Sequence, residues 1–297
     1  MIPQINTPVS LNHADAYLEL WQATPQHSID YTLANIWGWG LYFGLEWRMS
    51  NGLCWLCQSV PAPVRWAPVG NWHAVDWKNA PELERGGLFV RVPEQLALLW
   101  QQELGERVQL EETRGHWEYL YAQEDLAQLA GKRFHKKKNH VNAYIKEYGT
   151  MDYRPLTEAV REDVLILQDE WCQWHECDDS SSLKAENEAI NRVLAHWDAI
   201  PGLVGGALYV EGTIAAFSVG EQLDSHSLGV HYEKGRNGIR GVYQSMNQAF
   251  ASHAGEGYAV LNRAQDLDEE GLRQAKMTYL PVDFLRKYTV RVLPKTL

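Results

Sequence analysis

Three alternating apolar runs, Val204–Val210, Thr213–Leu223 and His226–Tyr232, are separated by links of only two residues, Glu211-Gly212 and Asp224-Ser225. Links that short between alternating runs are hairpin turns, so the runs form a three-strand antiparallel meander. The residues after the meander narrow the choice of fold further. Glu233–Arg240 holds two glycines and three cations and reads as a loop. From Ile239 the apolar residues Val242, Tyr243, Met246 and Phe250 fall at helical spacing. A strand that ends in a Gly-rich basic loop and feeds a helix brings backbone N–H groups, a positive dipole end and cations to one place. Gly235, Arg236, Gly238, Arg240 and Gly241 are therefore the candidate cofactor- or anion-binding residues. The alternative is an ordinary strand-to-helix connection whose cations are solvated.

Upstream of the meander, Met151–Pro155 reads as a strand, and Glu158–Trp174 and Ser182–Trp197 as two amphipathic helices, the second with Ser182 as its N-cap. Downstream come a strand at Tyr258–Asn262, a short helix at Glu269–Lys276 and a last strand at Tyr288–Leu293. The earlier part has a looser version of the same order. It reads as a helix at Asp15–Ala23 and strands at Trp39–Trp47 and Gly52–Gln58 around Asn51-Gly52. A helix at Pro93–Leu104, strands at Val108–Thr113 and Trp117–Ala122, and a basic helix come next. The class is α+β. At about 100–200 residues per domain, 297 residues suggest two modest domains, divided near residue 149 into 1–149 and 150–297. Ten of the thirteen tryptophans lie between Trp21 and Trp117. Large aromatics are mostly core residues, which is preferred here to a groove lining.

Net charge is −11, which argues against non-specific coating of nucleic acid or anionic lipid. Against that background residues 131–146 stand out, with six Lys or Arg and no acid. Lys132, Arg133, Lys136, Lys137 and Lys138 are candidates for contact with the phosphates of RNA, a lipid headgroup or a nucleotide, or else one solvated helix face. Arg273 and Lys276, three apart on the short helix, could form a second anion clamp. No run reaches the roughly 18 apolar residues of a membrane span, and no basic segment followed by an apolar one opens the chain, so a cytoplasmic location is expected.

The four cysteines do not make a disulfide framework in a chain of this length. Cys54 and Cys57 form a CxxC, and Cys172, His175 and Cys177 a CQWHEC, but positions i and i+3 of a strand point to opposite faces. Buried free thiols are expected, and no metal.

The order strand, two helices, meander, phosphate loop, helix resembles the acetyltransferase-like N-acyltransferase fold, in which that loop holds a cofactor pyrophosphate. The usual loop pattern is Arg/Gln-x-x-Gly-x-Gly/Ala, whereas Arg236, Gly238 and Gly241 give R-x-G-x-x-G. Two segments, GKRFHKKKNHVNAYIKEY (131–148) and LNRAQDLDEEGLRQAKMTYLPVDFLRKY (261–288), are similar to the signature of a bacterial family. That family resembles the soluble C-terminal domain of phosphatidylglycerol lysyltransferase. Asn262, Arg263, Gln265, Asp266, Leu267, Gly271, Leu272, Arg273, Ala275, Lys276, Tyr279 and Pro281 match its pattern; Asp268 replaces a usual Gly and Thr278 a usual Ser. The resemblance implies two tandem acetyltransferase-like domains, each a mixed, mostly antiparallel sheet flanked by helices. It also implies relatives that move an aminoacyl group from aminoacyl-tRNA to a lipid headgroup.

The expected function is acyl or aminoacyl transfer from an aminoacyl-tRNA or acyl-coenzyme A donor to an amine or hydroxyl of a small molecule or lipid headgroup. The basic helix would meet the tRNA. Asp266 and Tyr279 are the candidates for proton transfer, although Asp266 is also well placed to cap the helix after it. Two alternatives stay open: an acetyl-coenzyme A-dependent N-acetyltransferase, and a module that binds an anion or nucleotide without turnover.

Overall fold

The computed structural model describes residues 2–295. The strands, in chain order, are β1 (Thr7–Pro8), β2 (Glu46–Ser50), β3 (Leu53–Gln58), β4 (Val64–Trp66), β5 (Gly87–Pro93), β6 (Val108–Glu112) and β7 (Glu118–Ala122), then β8 (Asp152–Pro155), β9 (Leu203–Val210), β10 (Thr213–Gln222), β11 (Ser227–Gly235), β12 (Val260–Asn262), β13 (Asp283–Leu285) and β14 (Lys287–Val292). They form two seven-stranded sheets, in the orders β1-β2-β3-β4-β5-β14-β6 and β13-β7-β12-β11-β10-β9-β8. Both are mixed: β4–β5 and β11–β12 run parallel, while the other described ladders run antiparallel.

The chain forms two compact units. The first is Met1–Glu118 with Gln265–Glu270 and Phe284–Leu297; the second is Tyr119–Ala264 with Gly271–Asp283. The division expected near residue 149 therefore falls inside the second unit. The physical reason is the helix His135–Tyr148, whose His140 carbonyl and Tyr144 side chain pack against Gly241 of that unit.

In the first unit, the Asn51-Gly52 hairpin has both residues left-handed (φ 52 and 72), the conformation that matches the right-handed twist of its strands. The expected strand at Trp39–Trp47 is a helical turn at Gly40–Phe43 and is extended only at Glu46 and Trp47. Thr32 caps a helix at Leu33–Gly38, a second turn comes at Gly40–Phe43, and β2 begins only at Glu46. The run alternates, but Trp39, Tyr42 and Phe43 also sit at i, i+3 and i+4, and their rings pack as one cluster. Gly44 at φ 54 ends that helix. The core is aromatic: Trp47, Trp55, Trp66, Trp72, Trp77 and Trp100 are fully buried. Each buries roughly 150–250 Å². At about 25 cal/mol per Å² that is roughly 4–6 kcal/mol apiece before entropy is charged against it.

The second unit keeps the expected order. Thr157 caps the helix Glu158–Trp174. Ser180, two residues before the expected cap, caps Ser181–Ala195. The β9–β10 turn has Glu211 and Gly212 both left-handed (φ 51 and 78). The helix Val242–His253 packs beneath the sheet through Met246 and Phe250. One expectation about the cysteines fails. Cys172 and Cys177 are joined as a disulfide with Cα atoms 5.0 Å apart, because the helix ends at Trp174 and the next turn folds Cys177 back. Cys54 and Cys57 on β3 are free thiols.

Candidate active site

The second unit's sheet parts at its centre. β11 pairs with β10 over most of its length but with β12 through three pairs only, Ser227↔Val260, Leu228↔Leu261 and Gly229↔Asn262. β12 stops because the buried Asn262 turns its amide oxygen back to accept from Ala264 N at 3.0 Å, and Ala264 is left-handed (φ 54). Beyond Gly229, β11 runs on to Gly235 without a ladder to β12 among the described residues.

Side chains converge where the strands part. Arg263, the residue after β12, meets Glu233 of β11 at 3.3 Å. With its amide oxygen facing the guanidinium, Asn247 accepts from Arg263 Nε at 3.1 Å. The guanidinium carbon lies 5.0 Å from the Tyr279 ring centroid, and Lys137 Nζ stands 4.0 Å over the same ring. Burial pushes the Tyr279 phenol up to about 12, with Arg263 opposing, so it is a protonated donor at neutral pH. Burial, and then the Arg263 charge, lower the pKa of Lys137. Two cations against one carboxylate leave the group net positive, which suits charge developing on a carbonyl oxygen.

The Gly-rich loop is built differently from expectation. A Cβ at Gly235 would come within 2.9 Å of Val242 Cγ1, so glycine lets the helix close on the strand. Arg236 is committed: it meets Glu170 at 2.5 Å, donates from Nε to Ile214 O at 3.1 Å and lies over the Trp174 ring. Lys234 is buried, pairs with Glu186 at 2.7 Å and stands 3.9 Å over the Trp171 ring. Gly238 (φ 84) faces open space and Arg240 is exposed. Gly241 is the left-handed N-cap, and a Cβ there would strike His140 O at 2.3 Å. The basic helix thus lies against the start of the loop's helix, and Tyr148 OH accepts from Arg240 N at 3.4 Å.

The basic run divides by direction. Lys132, Lys136 and Lys138 are exposed, Arg133 pairs with Asp125 at 2.5 Å, and Lys137 turns inward to Tyr279. Arg273 and Lys276 share the helix Glu270–Met277, but Lys276 Nζ donates to the carbonyl of Arg263, and Tyr121 OH donates to Lys276 O at 2.9 Å. Lys276 therefore fixes the turn that aims Arg263 rather than forming a clamp with Arg273.

The two expected proton-transfer residues fall in different units. Asp266, fully buried in the first, accepts from Asp268 N at 2.9 Å and pairs with Arg114 at 3.0 Å, while its carbonyl accepts from Glu269 N. That is a cap on the turn leading into the signature helix. Around it, Gln265 donates to Asp30 at 2.9 Å, Arg91 meets Asp30 at the same distance, and Lys287 bridges Asp30 and Glu118. The Lys287 and Arg91 charges overcome burial and hold the Asp30 carboxyl far below its usual range.

Sequence reasoning passed over Glu233 and Asn247, and read Arg263 only as part of a motif. The available signals were its position directly after a strand end and an acid beside Lys234 at the end of the meander. Among the described residues no group of three or more His, Cys, Asp or Glu is placed to hold a metal ion, and no helix is long and apolar enough to cross a membrane.

A family model described as phosphatidylglycerol lysyltransferase, C-terminal, matches residues 21–291. A conserved protein of unknown function from Bacteroides thetaiotaomicron is 29% identical, with a TM-score of 0.87 over 98% of this chain and 100% of that one. L-PGS from Bacillus licheniformis is 14% identical, with a TM-score of 0.63 over 98% of this chain and 94% of that one, a likeness of fold. An uncharacterized protein of Mycoplasmoides gallisepticum is 27% identical over 184 residues, which are 59% of this chain and 56% of that relative, so the chain spans little more than half the length of that curated relative. With the two mixed sheets and their flanking helices, these likenesses establish a tandem acetyltransferase-like architecture.

Proposed function

This chain belongs to the family of the phosphatidylglycerol lysyltransferase C-terminal domain, and from that premise we propose that it transfers an aminoacyl group from an aminoacyl-tRNA to an amine or hydroxyl. The observation that carries this reading is the gap between β11 and β12, with Arg263, Glu233, Tyr279 and Lys137 gathered beside it. The acceptor, a small molecule or lipid headgroup, attacks the ester carbonyl. Negative charge grows on the carbonyl oxygen, where Arg263 and Lys137 stabilise it. Collapse expels the ribose oxygen, which takes the Tyr279 phenol proton, and the proton shed by the attacking amine or hydroxyl passes to the phenolate, so that Tyr279 ends the cycle protonated.

The choice of donor rests on which cations remain available. Arg236 and Lys234 are paired with Glu170 and Glu186, whereas Lys136 and Lys138 face solvent from a helix laid against the loop and Lys132 from the turn before it. That distribution favours a polyanion such as tRNA. The open space at Gly238 beside the exposed Arg240 supports the second reading, an acyl-coenzyme A donor for N-acetylation.

Thermal unfolding with aminoacylated tRNA or with acetyl-coenzyme A, at low salt, separates the readings. A midpoint raised by the tRNA, and lost in Lys136→Glu/Lys138→Glu, is expected, with labelled amino acid moving from tRNA to an acceptor extract. A shift with acetyl-coenzyme A alone transfers the assignment to the second reading. Binding without any labelled product would make the chain an anion-binding module.

A further inference from the structure

Nothing in the transfer reading uses the disulfide. Cys172 lies on the last turns of the helix Glu158–Trp174, and Cys177 lies in the short turn after it. The side chains beside Cys172 on that helix hold the Gly-rich loop. Glu170 pairs with Arg236 at 2.5 Å, and Trp174 lies under the same guanidinium, 5.4 Å from ring centroid to carbon. Trp171 faces Lys234 and donates from Nε1 to Tyr243 OH at 3.3 Å, and Tyr243 OH reaches Gly235 O at 3.4 Å. Lys234, Gly235 and Arg236 thus each touch this helix end directly or through one side chain. Gln168, buried beneath it, points its amide at Cys172 Sγ (3.8 Å) and at Asn187 of the next helix (3.1 Å). Cys177 is buried and Cys172 half-buried, so an external thiolate reaches the bond through Cys172.

We propose that Cys172 and Cys177 are a reversible thiol–disulfide site that sets the anion loop: the oxidised pair locks Arg236 onto Glu170, and reduction frees it. The exchange partner is a low-molecular-weight disulfide such as oxidised glutathione. One Cys thiolate attacks it, releasing one thiol and leaving a mixed disulfide; the second thiolate attacks that, releasing the other thiol. Two protein thiols lose two protons and two electrons, and the small disulfide gains them. Opening the bond removes the covalent tie between the helix end and the turn after it, and leaves only His175, stacked on Trp171 and hydrogen-bonded to its carbonyl at 2.9 Å, to close the helix end. An unstapled helix terminus frays, because its last carbonyls have no partner within the helix. Fraying at residues 170–174 displaces Glu170 and Trp174 together.

The proposal rests on the loop as an anion site only for its consequence, so the test reads the loop itself. Thiol counting on denatured protein comes first. Oxidised protein gives two free thiols, Cys54 and Cys57, and reduced protein four. Amide hydrogen exchange is then compared for oxidised, reduced and Cys172→Ser/Cys177→Ser protein. The expected result is exchange at least about fivefold faster at residues 235–241 in the reduced and doubly substituted forms. Glu170→Gln should speed the same amides in oxidised protein. Four thiols after treatment with oxidised glutathione would overturn the proposal, and so would faster exchange confined to residues 171–180. Binding of inorganic pyrophosphate is measured alongside. Its absence in every form counts against the phosphate loop and leaves the exchange result to decide the switch.

Discussion

In the first unit, Lys287 is wholly buried between Asp30 and Glu118, and Arg91 adds a second cation to Asp30. In the second, Arg263 faces Glu233 with a tyrosine ring and a second cation beside it, at the point where two strands part. The residue types are nearly the same, but the settings are not. Lys287, Asp30 and Glu118 at the centre of the first group are closed off, with Ser28 Oγ and Ile29 N also donating to Glu118. A charge network satisfied on all sides and shut from solvent can hold a fold but has no way to meet a substrate. The second is net positive, its Arg263 and Glu233 are each 15% exposed, and it sits where the backbone ladder ends.

That contrast can be broken most severely at Lys287. Lys287→Met leaves Asp30 and Glu118 buried without their cation and should cost about 3–5 kcal/mol in urea unfolding. A loss under about 1 kcal/mol would mean that the first group is not structural. The opposite signature is expected at Tyr279. Tyr279→Phe should lower aminoacyl transfer by about 100-fold while unfolding free energy moves by about 1 kcal/mol or less. Equal losses in both would place Tyr279 with the structural groups.

A smaller effect comes from His116, beside Asp30, Arg91 and Lys287. Burial, and then Arg91, push it from 6.5 down to about 4. Folding therefore favours the neutral ring. Its contribution is complete above pH 6.5 and is lost as pH falls toward 4, which amounts to about 1–2 kcal/mol between pH 7 and 5. Asp30 is also depressed, but its contribution disappears only below its unfolded value near 3.8, so the two windows do not overlap. His116→Gln should flatten the profile between pH 7 and 5 when unfolding is followed at each pH. Least of all, Lys136→Glu/Lys138→Glu should leave stability within about 0.5 kcal/mol while removing the tRNA-induced rise in midpoint at low salt.

The meander, the paired helices and the helix after the loop were legible because each is a local pattern: a two-residue turn, a 3.6-residue period, a glycine cap. The helix at Gly40–Phe43 was misread because alternating and helical spacings coincide over a short aromatic-rich run. The site was legible only in part. Lys137 and Tyr279 were named, but nothing local says that Lys137 turns inward while Lys136 and Lys138 turn out. Arg236 looked like a phosphate ligand because its partner, Glu170, is 66 residues earlier. The signature conceals a division of labour as well. Arg263 serves the second unit, whereas Gln265 and Asp266 tie up buried charges in the first.

The place of β14 bears on how the protein is made. It lies between β5 and β6 in the first sheet, yet it is the last of the described strands. On the ribosome, β6 is complete at Glu112, but the strand that must bridge it to β5 starts at Lys287. At about 5–20 residues per second that interval is roughly 10–35 s. Through it the early segment carries two strand edges waiting for a partner and two buried-to-be acids, Asp30 and Glu118, waiting for a lysine. The half of the protein that is translated first is the half that finishes last, and its protection during synthesis falls to whatever holds nascent chains apart.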